Sequence, residues 1–400
     1  MKSILNKNNR VIPLSVPSIS GNEWKYIKDC LDTEWVSSVG AYVNRFESVL
    51  SELVGSGHAV ACTSGTAALH VSLKLAGITG EDEVIVPTVT FIAPVNAVRY
   101  VGAELVFMDC DQYFNLDTEK TLEFIKRETV FQKGFTWNKT TGKKIAALIP
   151  VHVFGNAADL EPLLQICSER NIKIIEDAAE SIGTYYTQGN IKNKYTGSVG
   201  SFGCYSFNGN KIVTTGGGGM IVTNDEDLAN KARYLTTQAK DDPLRYVHDH
   251  VGYNYRLTNI QAALGVAQLE RLPSFIETKE KNYSLYREHI LDIPGLTLTE
   301  KPDYARNNHW MYPVLINKKE YGMDREELMR YLADKGIQTR PLWKLNHTQK
   351  PYADNQSYKI ERAYDLLERT LNIPCSVNLT EEELNFVVIA LKEGALERSG

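Results

Sequence analysis

The chain has 400 residues and carries 44 Lys and Arg against 49 Asp and Glu, a formal charge of −5. That mild acidity leaves no basic surplus for a phosphate backbone, so nucleic acid is not an expected partner. No run of about 18 apolar residues is present, so neither a helical membrane span nor a membrane partner is expected.

Residues 1–15, MKSILNKNNRVIPLS, contain no apolar export segment and read as a loose polar tail. Short β-rich apolar runs then alternate with helical patterns. The runs are HAVACTS (58–64), EVIVPT (83–88), ELVFMD (104–109), IAALIPVHV (145–153), IKIIED (172–177), FGCYSF (202–207) and GMIVT (219–223). Several are apolar on both faces, which predicts an α/β fold with a seven-stranded, mostly parallel sheet under helices. Leu160, Leu163, Leu164 and Cys167 follow the spacing of one helix face. FQKGFTWNKTTGKKI (131–145) reads as a polar surface loop. After about residue 255 the pattern changes to a long charged helix and then to shorter mixed elements. Residues 1–255 are therefore expected to form a large domain and residues 256–400 a smaller α/β domain. In the latter, DREELMRYLADKG should be a helix ending at Gly336, and Thr380 with Glu383 should open the last helix.

Six cysteines, at 30, 62, 110, 167, 204 and 375, make no CxxC pair and read as buried thiols of a cytoplasmic protein. His248 and His250 stand close together without a third ligand, so no metal site is expected.

Three segments could carry chemistry. At Ser64-Gly65-Thr66 a strand gives way to a helix. Such a turn aims free backbone N–H groups and the positive helix end at an anion, or is an ordinary N-cap. IKIIED ends in Glu176-Asp177, with Glu180 three residues on. A carboxylate at a strand end can hold a heteroaromatic nitrogen protonated, or cap a helix. In SFNGNKIVTTGGGG, Lys211 occupies a Gly/Asn-rich turn between two buried strands, an odd place for a solvated lysine. A partly desolvated lysine can form a Schiff base. The glycine run lacks the spacing of a nucleotide loop. Taken in order, a Gly-Thr turn, a strand-end Asp177 and Lys211 about 34 residues later match a pyridoxal 5′-phosphate (PLP) site. The phosphate would take the helix N-terminus, with Ser206 adding a contact.

With these residues in view, the chain resembles the DegT/StrS family of PLP-dependent nucleotide-sugar aminotransferases, which have the aspartate aminotransferase (type I) fold. The resemblance runs from about Val16 to the last helix. It rests on EWVSSVGAYVNRFE (34–47), SGTAAL (64–69), VPTVTFIAPVNAV (86–98), PVHVFGN (150–156), EDAAES (176–181), SFNGNK (206–211), GYNYRLTNIQAALGVAQLERL (252–272) and GIQTRP (336–341). It implies that Lys211 is the Schiff-base lysine, that Asp177 partners the pyridine nitrogen, and that Glu180 lies near the ring hydroxyl. It implies that Phe91 stacks on the ring and that Ser64, Gly65, Thr66 and Ser206 hold the phosphate. Asn254 matches a residue that reaches the phosphate of the partner subunit, implying a homodimer with shared sites. Many members read G-E-G-G where this chain has Gly216 to Gly219. The intact Lys211 favours transamination over the dehydration of relatives that carry His there.

The subgroup resembled is the one that aminates carbon 4 of UDP-linked 4-keto-6-deoxy-N-acetylhexosamines with glutamate, for bacterial surface glycans. The branch acting on GDP-4-keto-6-deoxymannose is the rival, and a non-catalytic sugar-nucleotide binder on the same fold is a third reading. The sugar nucleotide is expected to touch Trp35 and Ser37 in WVSSVG, and His309 and Arg340 in the C-terminal part, where an arginine fork suits a diphosphate.

Overall fold

The computed structural model describes residues 11–242 and 244–396. All seven expected strands form: β1 His58–Cys62, β2 Asp82–Pro87, β3 Glu104–Met108, β4 Lys144–Leu148, β5 Lys173–Asp177, β6 Phe202–Ser206 and β7 Gly219–Thr223. Most of their side chains are apolar and most are buried, so helices must cover both faces of the sheet. The sheet order is β1-β7-β6-β5-β4-β2-β3. Neighbours among β2 to β6 pair parallel, whereas β7 runs antiparallel to both β6 and β1. The C-terminal ends of β1, β2, β4, β5 and β6 and the start of β7 therefore share one edge, which is where open α/β sheets bind ligands.

Two sequence expectations are corrected. Residues 131–145 are not a loop. Thr129–Gln132 and Phe135–Asn138 form a hairpin that extends the sheet through Trp137 opposite Lys144. Lys133 and Gly134 at its tip both have positive φ, as a tight two-residue hairpin turn requires. Val130, Phe131, Phe135 and Trp137 carry the strand propensity that the flanking Lys and Thr residues obscure. Nor are residues 11–15 a loose tail. Ile12 is 3% exposed and bridges to Ile337, and Leu14 accepts a hydrogen bond from the Cys375 N–H. Residues 1–10 of the expected tail lie outside the described residues.

The long helix is Asn259–Ile290, opened by a Thr258–Gln261 capping box. Its first half packs on the large sheet's helices. Gly265 is required there, because a Cβ would come within 2.7 Å of the Phe46 ring. Its second half packs on an antiparallel sheet ordered Leu296–Leu298, Tyr312–Ile316, Thr370–Ile373, Arg340–Pro341. The expected helix before Gly336 spans Arg325–Asp334, and Thr380 and Glu383 form the expected reciprocal cap of the last helix. Between these, the chain returns to the large sheet, where Gln356–Tyr358 pairs parallel with β3. No helix among the described residues is long and apolar enough to cross a membrane.

Candidate active site

The shared strand edge holds a cavity of about 430 Å³, lined by residues from all three segments that could carry chemistry. Ser64, Gly65 and Thr66 come from the end of β1, Phe91 follows β2, Asp177 and Glu180 follow β5, and Ser206 ends β6. Lys211 sits in the loop from β6 to β7. Phe207 closes that loop, donating its N–H to Gly218 and accepting from Thr215. The lysine therefore leaves and re-enters the sheet at one point, over the strand ends.

At the start of the Gly65–Leu75 helix Ser64 is an N-cap, and the helix end keeps donors that an anion could take. The Ser64 hydroxyl oxygen caps the helix by accepting the Ala67 N–H at 3.0 Å, while the N–H groups of Gly65 and Thr66 find no acceptor among the described residues. Gly65 is needed because a Cβ there would lie 2.9 Å from the Ser206 Cβ. The helix end and the Ser206 hydroxyl thus converge on one spot with donors to spare.

Alternation along β5 gives its two carboxylates different work. Glu176 accepts from His152 Nε2 at 3.0 Å and from the N–H groups of Gly197, Val199 and Gly200. It is a buried tie for the 197–200 loop. Asp177 lines the cavity; one of its oxygens accepts the Ala179 N–H at 3.0 Å, and the other has no partner among the described residues. No helix follows Asp177, so it caps none. Burial pushes its carboxyl up from the ordinary range, opposed by the Ala179 N–H, then Lys211 and His152. Burial likewise raises Glu180, opposed chiefly by Lys211 and then by the Phe154 N–H. Lys211 Nζ lies 3.4 Å from Glu180 Oε1 and 3.8 Å from the centre of the Trp310 ring.

The cavity also takes in residues the sequence reading had not placed: Thr90, Asn208, Asn210, Gly217, Gly218 and Trp343. Phe91 is 53% exposed, with its ring 6.5 Å from Trp343. Its loop is held by Asn346, which donates to the Thr88 and Thr90 carbonyls. Nothing periodic marks Trp343 or Asn346 in the sequence; they reach the site because the chain returns to the large sheet there. Gly217 and Gly218 belong to the glycine run that departs from G-E-G-G.

Five expected site residues, Trp35, Ser37, Asn254, His309 and Arg340, lie outside this cavity. Asn254 is exposed, and its side chain has no partner among the described residues. Trp35 lines a separate cleft of about 760 Å³ with Arg233 and Arg256, and Asn259 pins its loop through the Trp35 and Ser37 carbonyls. Arg340 lines a groove of about 580 Å³ that shares Asn210, Trp310 and Trp343 with the Lys211 cavity. No carboxylate pairs with it among the described residues. His309 turns away from Lys211. Its ring is buried 4.3 Å from Tyr283, and its imidazole is pushed down to about 3 by burial, then by Lys279, Lys301 and Arg306. The expectation that it touches substrate has no support in this placement. The close pair His248 and His250 bonds to the Gln238 carbonyl and the Tyr234 hydroxyl respectively.

The aminotransferase family described as DegT/DnrJ/EryC1/StrS matches residues 17–392 of the sequence. The chain belongs to this family. It is 39% identical to a GDP-perosamine synthase of Caulobacter vibrioides, covering 96% of this chain and 98% of that one. A GDP-perosamine synthase of Escherichia coli O157:H7 is 37% identical, covering 96% and 98%. Among solved structures, a DegT/DnrJ/EryC1/StrS aminotransferase from Brucella abortus superposes with a TM-score of 0.83 at 28% identity, covering 93% and 95%. The chain is a PLP-dependent nucleotide-sugar aminotransferase with the type I fold. The cavity fits that cofactor: unpaired N–H donors suit a phosphate, an unpaired buried carboxylate oxygen suits a protonated ring nitrogen, and a lysine amine suits an aldehyde.

Proposed function

We propose that this aminotransferase moves an amino group from glutamate to carbon 4 of GDP-4-keto-6-deoxymannose, in the cytoplasm, for a bacterial surface polysaccharide. The observation that carries the aminotransfer is the convergence of Lys211 Nζ, Glu180 and the half-unpaired Asp177 in one cavity beside an unsatisfied helix N-terminus. The choice of GDP is supported by the GDP-perosamine synthases, similar over almost their whole length. The UDP-linked N-acetylhexosamine is the second reading, supported by WVSSVG and SFNGNK…TTGGGG in the sequence.

PLP, when bound, supplies an electron sink that stabilises a carbanion at the carbon exchanging its amine. Gly65 and Thr66 N–H groups, with the Thr66 and Ser206 hydroxyls, hold its phosphate, and Ser64 fixes the helix end that presents them. Phe91 would cover one ring face. Asp177 would keep the ring nitrogen protonated through its free oxygen, which would restore a charge partner to a desolvated carboxylate. Glu180 would serve the ring hydroxyl. Lys211 would hold the cofactor through its amine, and that amine, when free, would carry the proton between the donor carbon and the sugar carbon.

Asn254, Trp35 and Ser37 serve the second copy of a homodimer, Asn254 reaching its phosphate and the other two its sugar nucleotide. This accounts for an exposed amide without a partner and a 56% exposed Trp35. Arg340 faces the diphosphate from the groove contiguous with the cavity.

The test is a product assay with glutamate and either GDP- or UDP-linked 4-keto-6-deoxy sugar, read by mass spectrometry. An amino sugar from the GDP substrate is expected. Product only from the UDP substrate would replace the reading with its rival, and product from neither would exclude both sugars as the acceptor.

A further inference from the structure

Resting on the assignment of Lys211 as the amine that joins the cofactor, we propose that Trp310 is the positioning residue of that amine. The indole face holds the free ε-ammonium in place between turns of covalent chemistry.

Two groups lie closest to the ammonium, with the Asp177 carboxylate farther off in the same cavity. The ammonium's 3.4 Å separation from Glu180 Oε1 is long for a charge-assisted hydrogen bond, which closes to about 2.7–2.9 Å. The Trp310 ring centre is only 3.8 Å away, well inside the roughly 6 Å reach of a cation–π contact. Trp310 is 3% exposed, so the contact is desolvated, where such an attraction is strongest. An aromatic face suits a lysine that must repeatedly give up its charge. A second close carboxylate would pin the proton, whereas the indole favours the cation without accepting the proton.

The ring is fixed relative to the lysine. Trp310 Nε1 donates to the carbonyl of Asn210, the residue before Lys211, at 2.9 Å. Its backbone is tied to the turn that carries the carboxylate. Asn308 Oδ1 accepts the Trp310 N–H, while Asn308 Nδ2 donates to the carbonyls of Glu180 and Ile182 at 2.9 and 3.0 Å. Between them, His309 has φ +53°, a sparsely populated backbone conformation that persists only where its surroundings hold it. The lysine turn, the Glu180 turn and the Trp310 segment are thereby locked into one unit. His309 contributes through its backbone, which turns the next residue inward.

The test uses cofactor-free wild type, W310F, W310L and K211A. Each is mixed with PLP, and condensation of the lysine amine with the aldehyde, one C=N bond formed and one water released, is followed by absorbance. Borohydride reduction and mass spectrometry then locate the modified lysine. W310L, whose free ammonium loses the π face, should shift the condensation about 2- to 30-fold toward the C=N bond, the span of a cation–π contact from exposed to desolvated. W310F, which keeps a π face, should stay within about threefold of wild type. Should W310L not fold, judged by its thermal melt, W310M takes its place. The proposal is overturned if the aliphatic variant matches wild type, or if W310F departs from wild type as far as the aliphatic variant, since size would then matter and not the π face. A modified lysine other than Lys211, or full condensation in K211A, would instead defeat the underlying assignment.

Discussion

Lys211 and Lys279 are both shielded from solvent, yet their surroundings differ. Lys279 is 2% exposed, donates to the Cys375 carbonyl, and lies 5.1 Å from the Tyr312 ring centre. No carboxylate pairs with it among the described residues, and burial pulls its amine down from its usual range. Lys211 faces a cavity with a carboxylate at 3.4 Å, an aromatic face and donors without acceptors. Burial of a lysine alone is therefore no sign of function. The sign is a buried lysine beside polar groups left unsatisfied in an open cavity, because such groups cost stability unless a ligand completes them.

The largest effect expected from this contrast is on turnover. K211A should abolish aminotransfer with PLP supplied; loss of its proton shuttle alone accounts for about 10²–10⁴-fold. K279M should keep turnover within about threefold, because it removes a charge from a closed core and nothing from the cavity. Steady-state rates of the two variants would reverse the comparison if they came out the other way.

Next is D177N, expected to slow the glutamate half-reaction about 10- to 150-fold, the worth of one hydrogen bond to a charged group. Stopped-flow absorbance measures it. The same variant tests the unsatisfied carboxylate. In the cofactor-free fold, burial raises the Asp177 carboxyl, so the folded state keeps its proton to higher pH than the unfolded chain. Wild type should therefore lose stability as pH climbs from about 4 through the raised value. D177N should not, and its advantage in denaturant melts should grow with pH and close in acid.

R340A should raise KM for the nucleotide sugar about tenfold and leave the glutamate half-reaction nearly intact. Damage to the glutamate half-reaction would move Arg340 to the amine donor's carboxylate.

The smallest effect is on stability. Because the folded state releases the Lys279 proton below the usual value of about 10.4, the unfolded chain binds more protons in the window between the two. Wild type should gain stability as pH rises through that window, and K279M should lose the slope. At neutral pH K279M should be about 1 kcal/mol more stable, if the methionine packs well.

How much of this was legible in the sequence follows from where each signal resides. The seven strands were readable because apolar runs bounded by turns are local signals. Ser64 to Thr66 and Asp177 were readable because they stand at strand ends, and Lys211 because a Gly/Asn-rich turn between two buried strands is an odd place for a solvated lysine. The hairpin at 129–138 was missed because its aromatic residues alternate with Lys, Thr and Gly. The pairing of Ile12 with Ile337 was missed because its partner is over 300 residues away.

The sequence by itself determined the α/β class and the chemical identity of the residues that can bind a phosphate, a ring nitrogen and an aldehyde. Only the tertiary structure decided which of them meet. Parallel strand ends on one edge bring β1, β5 and the β6–β7 loop together, whereas Glu176, adjacent to Asp177, is turned to the opposite face by strand alternation. Trp310, Trp343 and Asn346 enter the site through contacts between distant segments. Such contacts leave no local periodicity, because packing that joins distant segments depends on the folded path of the chain and not on its neighbours in sequence.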